Sequence, residues 1–152
     1  MSTFRHIFVV NNNIDRVWDF YTDIKHLEII TPKEMDLKII NTTTGQKLTQ
    51  GSEIWLAGKI IFLTKMTWHS RITHLKQYEY VDEMLNGPFK KWRHLHMFHD
   101  INQKQTQVID EVDFELPYGI IGKLLFQSYA HNHLEKIFDH RSIATIKALE
   151  NI

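Results

Sequence analysis

The sequence predicts an α+β fold: a curved antiparallel β-sheet wrapped around a long C-terminal helix, with two short helices after the first strand. Three observations predict it. Alternating apolar residues over 3–10 give way to two short stretches of helical spacing. From 34 to 116 the chain switches between strand-like runs and short polar turns. From about 120 to 149 a single helical pattern runs on, and at 1.5 Å per residue it reaches about 45 Å, enough to cross a sheet from end to end.

Each element has its own signal. Residues 3–10 are β-branched and aromatic and alternate, so they read as a strand. Asn11, Asn12 and Asn13 then offer N-caps, and Ile14, Val17, Trp18 and Tyr21 recur on one face of a first helix. A second short helix is expected over 23–29, with Leu27 and Ile30 on its apolar side. Thr31-Pro32 stops it, because the residue before proline is pushed out of the α region. Met35, Leu37 and Ile39 alternate with charged partners and start the next strand. Turns at Thr42-Thr43-Thr44-Gly45 and Gln50-Gly51-Ser52 precede strands over 53–63 and 66–75. A strand over 77–85 closes on Asn86-Gly87-Pro88, and strands over 91–99 and 106–116 meet around Asn102-Gln103. Short connections favour antiparallel neighbours. Pro117-Tyr118-Gly119 breaks the last strand, and Ala130, Leu134, Ile137, Phe138, Ala144 and Ala148 form the helical stripe. No repeat, linker or low-complexity tract divides the chain, so 1–152 reads as one domain. Such a sheet buries one face. A helix laid across a strongly curved sheet cannot fill the whole concavity, so a cavity is expected.

Composition excludes several classes. The chain has no cysteine, which removes disulfide scaffolds, thiol nucleophiles, Fe–S clusters and cysteine-type zinc sites. Lysine plus arginine and aspartate plus glutamate number 18 each, which argues against a nucleic-acid partner held by a broad basic face. No phosphate-cradling glycine motif and no Gly-x-Ser-x-Gly elbow is present. Apolar runs such as Ile7-Phe8-Val9-Val10 are four residues long, against the roughly 20 that a membrane span needs. Asn41-Thr42-Thr43 fits a glycosylation sequon, but nothing resembling a signal peptide accompanies it, and the expected location is cytoplasmic.

Several runs carry a resemblance. Asp15-Arg16-Val17-Trp18-Asp19-Phe20-Tyr21-Thr22-Asp23 and Leu27-Glu28-Ile29-Ile30-Thr31-Pro32 resemble the paired short helices of the START/Bet v 1-like (SRPBCC) helix-grip superfamily. Gly51-Ser52-Glu53-Ile54 resembles the start of its third strand, and Met66-Thr67-Trp68-His69-Ser70-Arg71-Ile72 a Trp-centred strand of the same group. The most specific likeness is Gly87-Pro88-Phe89-Lys90-Lys91-Trp92-Arg93-His94-Leu95-His96-Met97-Phe98. Asp110-Glu111-Val112-Asp113-Phe114-Glu115-Leu116-Pro117-Tyr118-Gly119 is similar to the last strand and its exit into the helix. Within that superfamily the chain looks like the cyclase/dehydrase-like, small-ligand-binding branch. The resemblance implies a helix-grip fold but leaves function open, since the superfamily includes lipid binders, hormone receptors, cyclases and chaperone regulators.

Trp92, His94, His96 and Phe98 alternate and so share one strand face, with Arg93, Leu95, Met97 and His99 on the other. The resemblance places the first set toward the concave interior. Two imidazoles between two aromatic rings suit a ligand pocket, apolar in bulk with a few oriented polar groups. Three readings compete for them. A His-x-His pair with Asp110 as third ligand can hold a metal, a His/Asp pair can act as general base, and both histidines can simply be polar lining of an apolar pocket. The last leads, because no dense ligand motif is present, and no metal or cofactor is expected. Asp110 alternates with Val112 and Phe114, opposite the charged row Glu111, Asp113 and Glu115. A carboxylate on that inner face needs a partner, and His94 or His96 would serve.

On the long helix, 134, 137, 138, 141, 145 and 148 fall on one face with Arg141 near its centre. Arg141 either turns inward to pair with Asp82, Asp110 or an anionic ligand, or snorkels at the face edge. Trp68 and Tyr80 join the expected ligand-binding set of Trp92, His94, His96, Phe98, Asp110, Val112 and Arg141. Leu27, Ile30, Gly87 and Pro88 are the expected entrance. His131 and His133 read as surface residues.

The leading expectation is therefore non-catalytic binding of a small hydrophobic or aromatic molecule between sheet and helix. The alternative is a polyketide cyclase/dehydrase-like, dehydratase or hydrolase-type enzyme with His94, His96 and Asp110 as catalytic candidates. A further alternative is a protein-interaction module that uses an exposed sheet face or edge. The sequence leaves the oligomeric state open.

Overall fold

The computed structural model describes residues 1–60 and 64–150. Among them, seven strands form one antiparallel sheet: β1 (Ser2–Val10), β2 (Lys38–Thr42), β3 (Glu53–Gly58), β4 (Met66–Lys76), β5 (Glu79–Asn86), β6 (Lys91–Asp100) and β7 (Thr106–Glu115). Their spatial order is β1-β7-β6-β5-β4-β3-β2. After β1 the chain crosses to the far edge through the short helices α1 (Ile14–Thr22) and α2 (His26–Ile30). It then returns strand by strand until β7 pairs with β1, from Ser2↔Phe114 to Val10↔Thr106. The sheet is curved around the long helix α3 (Gly119–Glu150), which packs on β1 and α2. Register shifts at Ile39/Asn41, His69/Ser70 and Ile72/His74 mark bulges in β2, β5 and β4 in turn, and bulges bend strands.

Local chemistry explains most boundaries. The Asn13 side chain accepts the Arg16 N–H at 3.0 Å and caps α1. The second helix begins three residues later than the sequence pattern suggests, at His26 rather than 23. Asp23 is extended instead, with its Oδ1 taking the Lys25 N–H at 3.2 Å and its Oδ2 taking Gln46 Nε2 at 2.6 Å. The expected strand start around Met35 is a 3-10 turn, Lys33–Met35, followed by Asp36 at φ 46° with its N–H on Lys33 O. That turn buries Met35 and Leu37 together, so the chain becomes a strand only at Lys38. The strand expected over 53–63 ends at Gly58, and its positions 61–63 lie outside the described residues.

The interior holds two apolar clusters. One gathers Phe4, Trp68, Phe114, Leu134 and Phe138. The other gathers Val17, Tyr21, Ile72, Tyr80 and Phe98. The α3 stripe starts later than its length suggests. Ile120, Ile121, Leu124 and Leu125 are 67–79% exposed, and the buried positions begin with Gly122 and Ala130. No helix among the described residues is long and apolar enough to cross a membrane.

Candidate functional site

Antiparallel register brings four ionisable side chains together from three adjacent strands. Asp82 on β5 stands opposite His94 on β6, and His96 on β6 stands opposite Asp110 on β7. The bonds run along the diagonals of this square. His94 Nε2 donates to Asp110 Oδ1 at 2.8 Å, and His96 Nε2 donates to Asp82 Oδ2 at 2.9 Å. His94 Nδ1 lies 3.5 Å from Asp82 Oδ2. His96 Nδ1 lies 3.2 Å from Asp110 Oδ1, too far off line for a hydrogen bond. His94, His96 and Asp110 are at most 3% exposed, whereas the Asp82 side chain is 22% exposed. The four sit between the two apolar clusters. His96 stacks on Tyr80 at 4.0 Å, and His94 meets Phe138 edge-on at 5.3 Å.

Burial decides the protonation pattern. Desolvation and the neighbouring His96 push the His94 imidazole down to about 4, against the pull of both aspartates. Desolvation also opposes charge on His96, but contacts with Asp110 and Asp82 outweigh it and raise its pKa. Burial pushes the Asp110 carboxyl up, yet its contacts with the two histidines hold it well below the usual carboxylate range. Asp82 follows the same pattern, with burial outweighed by His96, then His94, with Arg141 adding to the pull. The square therefore combines two carboxylates held ionised, a His94 imidazole kept neutral and a His96 imidazole whose hold on a proton is strengthened, with the Arg141 guanidinium adding to the pull on Asp82.

A cavity of about 140 Å³ opens beside this square, between the sheet, α2 and α3. Its wall is mostly apolar, with Leu56, Trp68, Ile72 and Phe138 among the lining residues. Polar groups come from Asp82, His94, His96, Ser70 and Arg141. The Arg141 guanidinium carbon sits 5.2 Å from the centre of the Phe138 ring, and its Nε is buried without a hydrogen-bond partner.

Solved structures share this architecture. An aromatase/cyclase, Zhui, from Streptomyces sp. R1128 superposes with a TM-score of 0.67 at 19% identity, covering 97% of this chain and 90% of that one. A START superfamily protein from Mycobacterium smegmatis gives 0.74 at 10% identity, covering 98% and 97%. The fold is the START/Bet v 1-like helix grip. A norcoclaurine synthase from Thalictrum flavum, solved with dopamine and hydroxybenzaldehyde, has the same helix grip with a TM-score of 0.70 at 13% identity, covering 99% and 87%. No protein-family model and no curated protein sequence matches the chain.

Within the helix grip the sequence-derived residues fall into three places. Trp68, Tyr80, Trp92, His94, His96, Arg141, Leu27 and Ile30 line the cavity. Asp110 stands behind the two histidines, and Phe98 and Val112 belong to the apolar clusters on either side. Gly87 and Pro88 are not among the lining residues, but Gly87 backs the wall. A Cβ there would meet Met84 Sδ at 2.4 Å and Trp68 Cβ at 2.7 Å. Arg141 faces the cavity, and no described ion pair joins it to Asp82 or Asp110 within 4.0 Å. Asp82 stands out as a participant that sequence reasoning placed only as a partner for Arg141. Its alternation with Tyr80 and Met84 on β5 is the signal that puts it on the inner face. Tyr21 is a second such residue, with its hydroxyl 3.1 Å from Thr145 Oγ1 and its ring on the cavity wall.

Proposed function

We propose that the protein binds a small hydrophobic molecule with one aromatic ring in this cavity and holds its polar end with Arg141. The observation that carries the reading is the pairing of an apolar cavity of about 140 Å³ with an Arg141 Nε buried without an acceptor. An engineered apolar cavity of about 150 Å³ admits benzene, so one ring is the right scale. A buried donor without a partner costs about 1–3 kcal/mol, and a ligand carbonyl, phenolate or carboxylate would recover it. The dopamine and hydroxybenzaldehyde bound to the norcoclaurine synthase are single-ring aromatics, which supports the size class. Thermal melting against benzoate, hydroxybenzaldehyde, phenol and toluene tests it. Ligands with an acceptor should raise the melting temperature by mass action, and Arg141→Met should reduce their shift to that of toluene. Equal shifts in both proteins, or none with any compound, would count against it.

A second reading has one observation in its favour: the His94–Asp110 hydrogen bond of 2.8 Å at the cavity wall, the geometry of an acid–base pair. Both nitrogens of each imidazole face a carboxylate. Asp82 is then the proton acceptor nearest a substrate, and His96 would relay to it. Solvent-deuterium exchange into a bound ring ketone, lost in Asp82→Asn, would identify this chemistry.

A further inference from the structure

Three donor atoms in the square converge on a single point. Asp82 Oδ2 is 3.5 Å from His94 Nδ1 and 2.9 Å from His96 Nε2, and one ligand atom from each of the three residues lies within 4.8 Å of the others. Two donors bound to one ion at roughly 2.0–2.1 Å stand about 2.9 Å apart at a right angle and about 3.3 Å apart at the tetrahedral angle. The two separations to Asp82 Oδ2 bracket those values. We propose that Asp82, His94 and His96 form a binding site for one divalent first-row transition ion, two imidazole nitrogens and one carboxylate oxygen, the ion releasing to solvent the proton that His96 Nε2 otherwise donates to Asp82, with its remaining coordination positions open to the cavity.

Asp110 supplies the independent support. Its Oδ1 is 2.8 Å from His94 Nε2 and 3.2 Å from His96 Nδ1, the two nitrogens that point away from Asp82. A carboxylate behind each ligating histidine fixes its tautomer and ring orientation and raises its basicity. An ionised carboxylate only accepts, so the proton of His94 sits on Nε2. The lone pair of Nδ1 then faces an oxygen of Asp82, acceptor to acceptor, an arrangement that a cation between them resolves. Burial of Asp110 at 1% exposure keeps water from replacing it. Asp82 lines the cavity and is 22% exposed, so an ion there would keep a face toward a bound molecule. Two imidazoles with one carboxylate and open positions suit zinc, iron(II) or cobalt(II), whereas calcium and magnesium prefer oxygen donors throughout. The site is independent of the ring-binding reading above, since it concerns the square and not the apolar wall.

The test uses full-length protein treated with a chelator and titrated with Co²⁺ and Zn²⁺. The expected result is one ion per chain, with a visible Co²⁺ absorption that Zn²⁺ displaces. Asp82→Asn should weaken binding by about a hundredfold, and Asp110→Asn by about tenfold to a hundredfold although it removes no donor. Because substitutions this deep can unfold the chain, the ring ¹⁵N resonances of the unaltered protein give a second reading. On Zn²⁺ addition the His94 Nδ1 and His96 Nε2 signals should move, while His131 and His140 stay in place. Saturation confined to surface histidines, binding unchanged in Asp82→Asn, or no binding of either ion would each overturn the proposal.

Discussion

The imidazoles of His94 and His96 stand 3.6 Å apart, centroid to centroid, and present opposite nitrogens to the same two carboxylates. His94 gives Nε2 to Asp110 and Nδ1 to Asp82, and His96 gives Nε2 to Asp82 and Nδ1 to Asp110. Two like rings this close cannot both carry a proton cheaply, so the square sorts them. His96 takes the proton and His94 stays neutral.

This sorting sets the pH dependence of the metal-free protein. Both histidines titrate near 6.5 in the unfolded chain. Folded His94 stays neutral down to about 4, so below 6.5 the unfolded state binds the extra proton and stability falls with pH. His96 works in the opposite sense. Its folded pKa is raised, so its contribution is complete below 6.5 and drains away as pH climbs through the folded value. Asp82 and Asp110, held low, add a further loss as pH falls below 3.8. Urea midpoints should therefore peak near pH 6.5, and a midpoint that rises steadily through neutral pH would contradict the assignment.

Asp110 is the deepest of the four, and its removal leaves His96 protonated without its inner partner. Asp110→Asn keeps the shape and loses the charge. Breaking a buried ion pair from one side costs about 3–5 kcal/mol, so the urea midpoint should drop steeply. Asp82→Asn, at a position 22% exposed, should cost less than half as much because water can reach the site.

The start of α3 is pinned by a close contact. A Cβ on Gly122 would lie 1.9 Å from Pro117 O, a backbone atom with no freedom to yield. Gly122→Ala should therefore shift the first turn and destabilise by about 1–3 kcal/mol despite alanine's better helix propensity. Gly45→Ala, with nothing within 4 Å, should stay within about 0.5 kcal/mol of the parent in the same urea titration.

Gly87→Ala probes the shape of the cavity wall. The new methyl would press on Met84 Sδ, the mobile end of a side chain that lines the cavity. Met84 can give way only by moving, and the space beside it is the cavity. Melting in the absence of ligand should fall, because Trp68 Cβ, 2.7 Å from the new methyl, is fixed to its backbone, and the shift produced by benzoate should shrink as well. An undiminished ligand shift would place the bound ring elsewhere.

The sequence carried much of this architecture. The alternation over β6 and β7 puts His94, His96 and Asp110 on one face, and the turn residues order the strands so that these two are neighbours. Asp82 was harder to place in the square because strand alternation assigns a face but not a register. Its partnership with His96 depends on the β5–β6 pairing Asp82↔His94. The α2 boundary was displaced for a similar reason: Asp23 is held by Gln46 and Lys25, and the Gln46 partner lies 23 residues further along the chain. The late start of the α3 stripe follows from the place where the sheet first meets the helix, which is a tertiary fact and leaves no periodic trace in Ile120, Ile121, Leu124 or Leu125.

The diagonal bonds of the square also bear on how the chain finds its pairing. If β6 slid by two residues against β5 or β7, every side chain would keep its face, and the apolar pattern alone would accept the misalignment. The slide would instead put one carboxylate opposite an apolar ring, Asp110 opposite Phe98 one way or Asp82 opposite Trp92 the other, and one histidine would lose one of its two carboxylates. Hydrophobic burial thus chooses which side of each strand goes inward, and the four charged or polar rings and carboxylates choose the step. Three strands contributed from residues 79–115 check one another's alignment in this way, so a misaligned sheet is penalised within that stretch of chain, whatever α3 does.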